Sequence, residues 1–185
     1  LFGNRYTSIL AFPEIHPLVI CCVAPGKTFN LSGLAVSTTL VPNPELNQRL
    51  LDQLRTAWLI NPNVLGLVAS TAAYARGGAW MDEQLRYVED NSALVRERLS
   101  REAPHIRPAR HEGTFLMWLN FREFGLTNEA LSQELAHTWH LGMNDGWHFG
   151  SGGDGFMRLN IGCRRELLHQ AIDQLVRMDR AHFPQ

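Results

Sequence analysis

Lys27 is the only lysine in this chain of 185 residues, and it lies in the segment Ala24-Pro25-Gly26-Lys27-Thr28. All the other basic residues are arginines. Arginine keeps its proton at any accessible pH, whereas a lysine amine can lose its proton and attack a carbonyl carbon. A single lysine is therefore a candidate for Schiff-base chemistry. A residual surface lysine is the alternative, and the count alone favours neither.

Arg158 is the second residue whose position suggests chemistry. It lies in the middle of a predicted strand, Phe156–Ile161, whose alternation puts Arg158, Asn160 and Gly162 on one face and the large apolar side chains on the other. A half-buried guanidinium needs an anionic partner because it cannot lose its charge. That partner is either a structural carboxylate of the protein or a substrate carboxylate held by two hydrogen bonds.

Other patterns with catalytic or metal-binding potential are weaker. Gly150–Gly155 satisfies G-x-G-x-x-G, but a predicted strand follows it where a dinucleotide site needs a helix, which favours a flexible loop. His137 and His140 lack the i,i+4 spacing of helical metal ligands. His148 near Asp145 could transfer protons, although a histidine in a glycine-rich loop is more often simply exposed.

The serines and cysteines do not point to a nucleophile or to a disulfide framework. Ser32 and Ser37 have no G-x-S-x-G context, so an α/β-hydrolase is not predicted. The three cysteines lack C-x-x-C spacing, and the adjacent Cys21 and Cys22 are predicted to be buried apolar thiols. Cysteines without a disulfide framework indicate a reducing, cytoplasmic setting.

Composition narrows the class of protein further. A net charge of -1 with interspersed signs indicates no nucleic-acid or anionic-membrane partner. The longest apolar run, Leu18–Ala24, is too short to span a bilayer. The hydrophobic content of 45% is ordinary for a globular chain that buries a core.

The apolar runs predict the elements that position Lys27. Leu18–Ala24 is continuous and partly β-branched, a pattern typical of a strand buried on both faces of a parallel sheet. The run ends at Pro25 and Gly26, so Lys27 lies on the turn at the strand's carboxyl end, where open α/β sheets bind ligands. Gly33–Val41 predicts a second strand.

Helices are predicted after Asn43 and Asn63, which can cap them. The remaining predicted elements are a long helix over Trp80–Ala103, strands over Thr114–Phe121, Leu141–Met143 and Phe156–Ile161, and helices over Thr127–His137 and Arg165–Arg180. We therefore predict an α/β fold in which residues 1–77 form the end of a parallel α/β domain. Residues 78–185 are predicted to form a connecting helix and a smaller α+β domain.

Several segments resemble a known family. The segment Ala24–Leu34 resembles the cofactor-lysine segment of pyridoxal-phosphate enzymes of the class I/II aminotransferase superfamily, fold type I, and matches best the cystathionine β-lyase-like (C–S lyase) branch. The resemblance covers essentially the whole chain, and it continues through Asn63, Ala72-Ala73-Tyr74, Gly77, Trp80, Asn91, Glu112–Leu119 and Gly155–Gly162. It implies an incomplete large-domain parallel sheet followed by a small C-terminal α+β domain.

The resemblance also implies roles for particular residues. Lys27 would form the Schiff base with pyridoxal 5'-phosphate and later move the Cα proton of an amino-acid substrate. Arg158 would hold the substrate's α-carboxylate. Gly26 occupies a position that is commonly a serine touching the cofactor phosphate, and its backbone N–H could replace that hydroxyl.

The same resemblance implies that part of the site lies outside this chain. The family supplies an aspartate for the pyridine nitrogen, an aromatic ring stacked on the cofactor and a glycine-rich phosphate seat from a region upstream. We therefore expect the chain to be the second half of a homodimeric enzyme, inactive without its N-terminal half. The expected activity is C–S β-lysis; an aminotransferase, or a non-catalytic fragment or regulatory protein that keeps the fold, is the alternative.

Overall fold

The computed structural model describes residues 2–184 and divides into two compact units. The N-terminal unit is Arg5–Gln84, and the C-terminal unit is the rest of the described chain, including everything from Leu85 onward. Among the described residues, no helix is both long and apolar enough to cross a membrane.

The N-terminal unit contains two short strands and two complete helices. Strands β1 (Cys21–Val23) and β2 (Thr38–Leu40) pair antiparallel, with Cys22 opposite Thr39. The helices are α1 (Pro44–Thr56), α2 (Val64–Arg76) and the beginning of α3 (Gly78–Glu102). Short 3₁₀ turns occupy Ile9–Ala11, Pro13–Leu18 and Ser32–Leu34.

Both predicted helix caps are confirmed. The Asn43 side-chain oxygen accepts hydrogen bonds from the backbone N–H groups of Glu45 at 2.9 Å and Leu46 at 3.3 Å. The Asn63 side-chain oxygen accepts one from the N–H of Leu65 at 3.0 Å. Each bond satisfies a donor that the first turn of a helix would otherwise leave unpaired, so both helices begin where the sequence indicated.

The predicted strand Leu18–Ala24 is correct in position but wrong in extent and burial. Only Cys21–Val23 is a strand, and Leu18 ends a 3₁₀ turn with 85% of its surface exposed. Cys22 is exposed too, contrary to the expectation of a buried thiol. A continuous apolar run is typical of a strand that is buried on both faces of a larger sheet. Within residues 2–184, however, β1 has a single strand partner, the antiparallel strand β2.

The C-terminal unit is built on a four-stranded antiparallel sheet. Its strands, in spatial order, are β3 (Arg107–Pro108), β4 (Leu116–Asn120), β6 (Phe156–Asn160) and β5 (Asn144–Asp145). Its helices are the rest of α3, α4 (Asn128–Gln133), a π-helical turn (Glu134–Thr138) and α5 (Arg165–His182). The strand predicted near Leu141–Met143 lies slightly later, at β5.

The alternation of β4 and β6 places the core of this unit. Met117 and Leu119 of β4 and Met157 and Leu159 of β6 are buried, and they pack with buried side chains of α3 and α5. Burying each such side chain stabilises the folded state by about 1.5–3 kcal/mol relative to leaving it in water. The predicted two-faced character of the Arg158 strand is therefore confirmed, with the apolar face inside and Arg158 on the other.

Candidate functional site

Lys27 lies on a closed turn that begins directly after β1. The backbone N–H of Phe29 donates to the Pro25 carbonyl at 2.8 Å, and that of Leu31 donates to the Gly26 carbonyl at 2.9 Å. Pro25 itself is buried, whereas the Lys27 side chain is exposed. Two hydrogen bonds beside a buried proline fix the backbone around Lys27, so its side chain extends to the surface from a defined Cα position.

A cleft of about 380 Å³ adjoins Lys27. Its lining includes Gly26, Ser32, Val36 and Ser37, so the polar side chains at the cleft are the Lys27 amine and two serine hydroxyls. Within residues 2–184, neither the Lys27 amine nor the Ser32 hydroxyl has a hydrogen-bond or ion-pair partner. Polar groups without partners beside a cleft can receive a ligand.

Phe29 anchors the turn against the helices of the N-terminal unit. Its ring meets Tyr74 edge-on, with centroids 5.9 Å apart, and stacks on Trp80 at 6.1 Å. Gly77 makes this packing possible because a Cβ there would lie 2.5 Å from the Phe29 ring. Phe29 is two residues from Lys27, so these aromatic contacts help to hold the position of the lysine.

Asn63 connects α2 to the wall of the cleft. Besides capping the helix, its side-chain N–H donates to the Leu34 carbonyl at 3.2 Å. A Cβ at Gly66 would lie 3.0 Å from the same carbonyl and from Val36, so α2 approaches this wall closely. The sequence singled out Asn63 as a cap but gave no signal for this second bond, because Leu34 lies twenty-nine residues away along the chain.

Arg158 lies in the C-terminal unit and is half-buried on β6. Its Nη2 donates to the Asn144 side-chain oxygen at 2.9 Å across the β5–β6 pair, and its guanidinium carbon lies 4.6 Å above the centre of the Phe149 ring. Trp118 is its cross-strand neighbour on β4 and meets Phe149 edge-on at 5.6 Å. Sequence reasoning missed Asn144 and Phe149 because their contacts with Arg158 form only when β5 pairs with β6 and the chain between these strands folds back.

No carboxylate pairs with Arg158 among the described residues, and its buried Nε has no hydrogen-bond partner. A structural carboxylate was one of the two partners that the sequence allowed for Arg158. Residues 2–184 do not supply one. An amide and an aromatic face orient the guanidinium without neutralising it. The Nη1 donors and the second N–H of Nη2 are available to an external anion such as a carboxylate.

The other polar candidates give no comparable site. His148 Nδ1 lies 3.9 Å from Asp145 Oδ2, which is too long for a direct hydrogen bond, and His148 is exposed. Within residues 2–184, no group of three or more histidines, cysteines, aspartates or glutamates could hold a metal ion. Lys27 and Arg158 remain the two chemically significant positions, one in each unit.

Comparison with known proteins places the chain in a family. No protein-family model matches it. It is 31% identical over 176 residues to the cystathionine β-lyase PatB of Bacillus subtilis, covering 95% of this chain and 46% of that protein. It is 30% identical over 157 residues to the protein MalY of Escherichia coli, covering 84% of this chain and 40% of that protein.

A solved structure gives the same answer. Cystalysin from Treponema denticola, whose crystal structure contains pyridoxal 5'-phosphate, superposes with a TM-score of 0.90 at 25% identity, covering 95% of this chain and 45% of that one. The chain therefore belongs to the class I/II aminotransferase superfamily of pyridoxal-phosphate enzymes, fold type I. Within it, the chain corresponds to the C-terminal part of the cystathionine β-lyase-like branch. It spans about half the length of the curated relatives it matches.

The predicted fold class is thus confirmed, and the family's cofactor is pyridoxal phosphate, as the sequence indicated. The residues around Lys27 fit a ligand that carries an aldehyde and a phosphate. The amine is exposed beside a cleft, two hydroxyls line that cleft, and Gly26 leaves its backbone N–H uncovered by a side chain.

Proposed function

We propose that this chain is the C-terminal part of a pyridoxal-phosphate-dependent C–S β-lyase that acts on amino acids. The observation that carries the proposal is the exposed, unpartnered Lys27 amine on a closed turn beside a cleft, in a chain related to cystathionine β-lyases. In the same proposal, residues 1–77 belong to the large cofactor-binding domain. Residues 78–185 form the connecting helix and the small domain.

Lys27 has two tasks in this proposal. Its amine would hold the cofactor through the aldehyde group and, once freed, would take the Cα proton of the substrate. Bound pyridoxal phosphate supplies the electron sink that makes this proton removable. The turn hydrogen bonds at Pro25 and Gly26 hold the backbone from which the amine reaches the cofactor and the substrate.

Arg158 holds the substrate in this proposal. Asn144 accepts from one N–H of Nη2, so Nη1 and the second N–H of Nη2 remain to bind both oxygens of the α-carboxylate. The cation–π contact with Phe149 keeps the guanidinium plane fixed without an opposing charge. Gly26 contributes its backbone N–H to the cofactor.

Removal of the Cα proton leads to one of two outcomes. In β-lysis the C–S bond would break and the thiolate would leave with the bonding electrons and take up a proton. Water would then hydrolyse the remaining three-carbon imine to pyruvate and ammonia. In transamination the C–S bond would stay intact, and the amino group would pass from the substrate to a keto acid. Lys27 and Arg158 serve both reactions, and the relationship to cystathionine β-lyases favours the first.

The test is to supply cystathionine to the full-length enzyme and to measure thiol, pyruvate and ammonia. We expect all three in equal amounts. Transfer of the amino group to a keto acid without thiol release would identify an aminotransferase instead. Absence of both reactions, with cofactor still bound, would favour a regulatory protein that keeps the fold.

The partners in this proposal are an N-terminal half of the same enzyme and a second copy of the chain. The N-terminal unit exposes the large apolar side chains of Trp58, Leu59, Val64 and Leu65, which such a partner would cover. The three free cysteines suit a reducing compartment, and we place the enzyme in the cytoplasm.

A further inference from the structure

Gly26 and Ser32 lie against each other beside Lys27. A Cβ built on Gly26 would lie 3.2 Å from both the Cα and the Oγ of Ser32. Few real Cβ atoms have contacts this short, so a side chain at position 26 would require Ser32 to shift by a few tenths of an ångström. The protein has glycine at 26 and a hydroxyl at 32.

The backbone fixes this contact. The hydrogen bond from the Leu31 N–H to the Gly26 carbonyl closes the turn, and Ser32 is the next residue. The position of the Ser32 Cα beside Gly26 therefore follows from the turn that displays Lys27, and the hydroxyl extends from it across a single rotatable bond.

The Ser32 hydroxyl has no task elsewhere in the described chain. It finds no hydrogen-bond partner within residues 2–184, and it lines the same cleft as Lys27. Besides Lys27, no cationic side chain lines this cleft. An anionic group bound here while Lys27 is occupied at an aldehyde would therefore need neutral donors, and a serine hydroxyl is one.

We propose that Ser32 donates a hydrogen bond to the phosphate of the cofactor and so supplies the hydroxyl that position 26 lacks. This inference rests on the proposed function, and it adds a cofactor-binding residue five positions after the lysine. Gly26 contributes its backbone N–H and the space that the Ser32 hydroxyl uses.

The experiment compares pyridoxal phosphate with pyridoxal, which has no phosphate, as ligands of the full-length apoenzyme. Absorbance titrations give a Kd for each ligand with the wild type and with Ser32→Ala. A hydrogen bond to a charged group should make Ser32→Ala bind pyridoxal phosphate about tenfold more weakly, with an unchanged Kd for pyridoxal. The pyridoxal titration also shows that the variant is folded.

Three further variants sharpen the result. Ser32→Thr keeps a hydroxyl and should keep most of the preference for the phosphorylated ligand. Gly26→Ser combined with Ser32→Ala moves the hydroxyl from position 32 to position 26. This double variant should recover part of the lost affinity for pyridoxal phosphate. Ser37→Ala removes the other serine hydroxyl of the cleft and should leave the preference unchanged.

Each contrary outcome has a distinct meaning. Equal losses for both ligands in Ser32→Ala, no loss for either, or a phosphate-specific loss in Ser37→Ala alone would overturn the assignment to Ser32. Failure of the wild-type enzyme to bind pyridoxal phosphate at all would instead overturn the proposed function.

Discussion

Lys27 combines an exposed amine with a rigid backbone, and the proposed chemistry needs both. We expect Lys27→Ala to lower turnover by about 10²- to 10⁴-fold, because the proton transfer loses its base. Borohydride should fix the cofactor to the peptide that contains Lys27 in the wild type and should fix none in the variant. Lys27→Arg keeps the positive charge and serves as the control, since a guanidinium neither bonds the aldehyde nor accepts the proton. A Lys27→Ala enzyme that still turns over amino acids at the wild-type rate would refute the role.

Arg158 should act mainly in substrate binding. Arg158→Ala removes the donors that face the substrate carboxylate, and we expect a loss of roughly 2–5 kcal/mol, seen chiefly as a raised KM. Arg158→Lys should recover little, because an ammonium cannot make two parallel hydrogen bonds. Arg110→Ala is the matched control, since Arg110 forms an exposed pair with Glu112. Unchanged KM and full activity in Arg158→Ala would return this residue to a structural role.

His111 should make the stability of the C-terminal unit depend on pH. Burial lowers its pKa, and the nearby charge of Arg96 lowers it further; its Nδ1 shares a 2.8 Å hydrogen bond with the Ser92 hydroxyl. The unfolded chain therefore binds a proton that the folded unit resists. The stability that follows from this lowered pKa is fully present above the ordinary imidazole pKa of about 6.5. It is lost as the pH falls below that value.

We expect the thermal unfolding midpoint of the wild type to fall between pH 7.5 and pH 5.5. Part of that decrease should disappear in His111→Gln, which cannot take up the proton. Identical pH dependences for the two proteins would show that other groups cause the decrease.

At the scale of elements, the junction between α2 and α3 supports the lysine turn. A Cβ at Gly77 would lie 2.5 Å from both the Ala73 carbonyl oxygen and the Phe29 ring, whereas nothing lies within 4 Å of one at Gly78. Gly77→Ala should therefore destabilise the protein by about 1–3 kcal/mol and weaken cofactor binding as Phe29 moves. Gly78→Ala should be neutral or slightly stabilising, because alanine favours the helix that begins there. Urea unfolding and cofactor titration of both variants check this, and equal effects would contradict the packing argument.

The elements that the sequence predicted well are those with local signals. The starts of α1 and α2 follow from Asn43 and Asn63, whose caps act within three residues. The extent of β1 could not be read from Leu18–Ala24, because strand length depends on which distant segment pairs with it.

The residues of the candidate site also differ in whether a local sequence signal identifies them. Lys27 and Arg158 could be picked out by residue type and local pattern. The closeness of Ser32 to Gly26, and the bond from Asn144 to Arg158, could not, because each depends on a turn or a strand register that forms only in the folded chain.

At the scale of the whole molecule, the apolar core is concentrated in the C-terminal unit. Its buried cluster includes Leu99, Phe121, Ile161 and Leu175, whereas in the N-terminal unit Trp58 is 85% exposed. We expect hydrogen exchange of the 185-residue chain to be slow in the C-terminal unit and fast in the N-terminal one. If the proposed N-terminal half covers this unit, co-expression with it should slow exchange in α2 and around Lys27. Equal protection of both units in the isolated chain would show that the N-terminal unit needs no further cover.

Because Lys27 is exposed and is the only lysine of the sequence, a lysine-specific reagent acts on this chain at a single residue. An endoprotease specific for lysine can cut these 185 residues at one peptide bond, between Lys27 and Thr28. An amine that is bonded to an aldehyde no longer fits such a protease. Digestion followed by mass spectrometry would therefore report occupancy of the site as a simple ratio of cut to uncut chain, without any substrate.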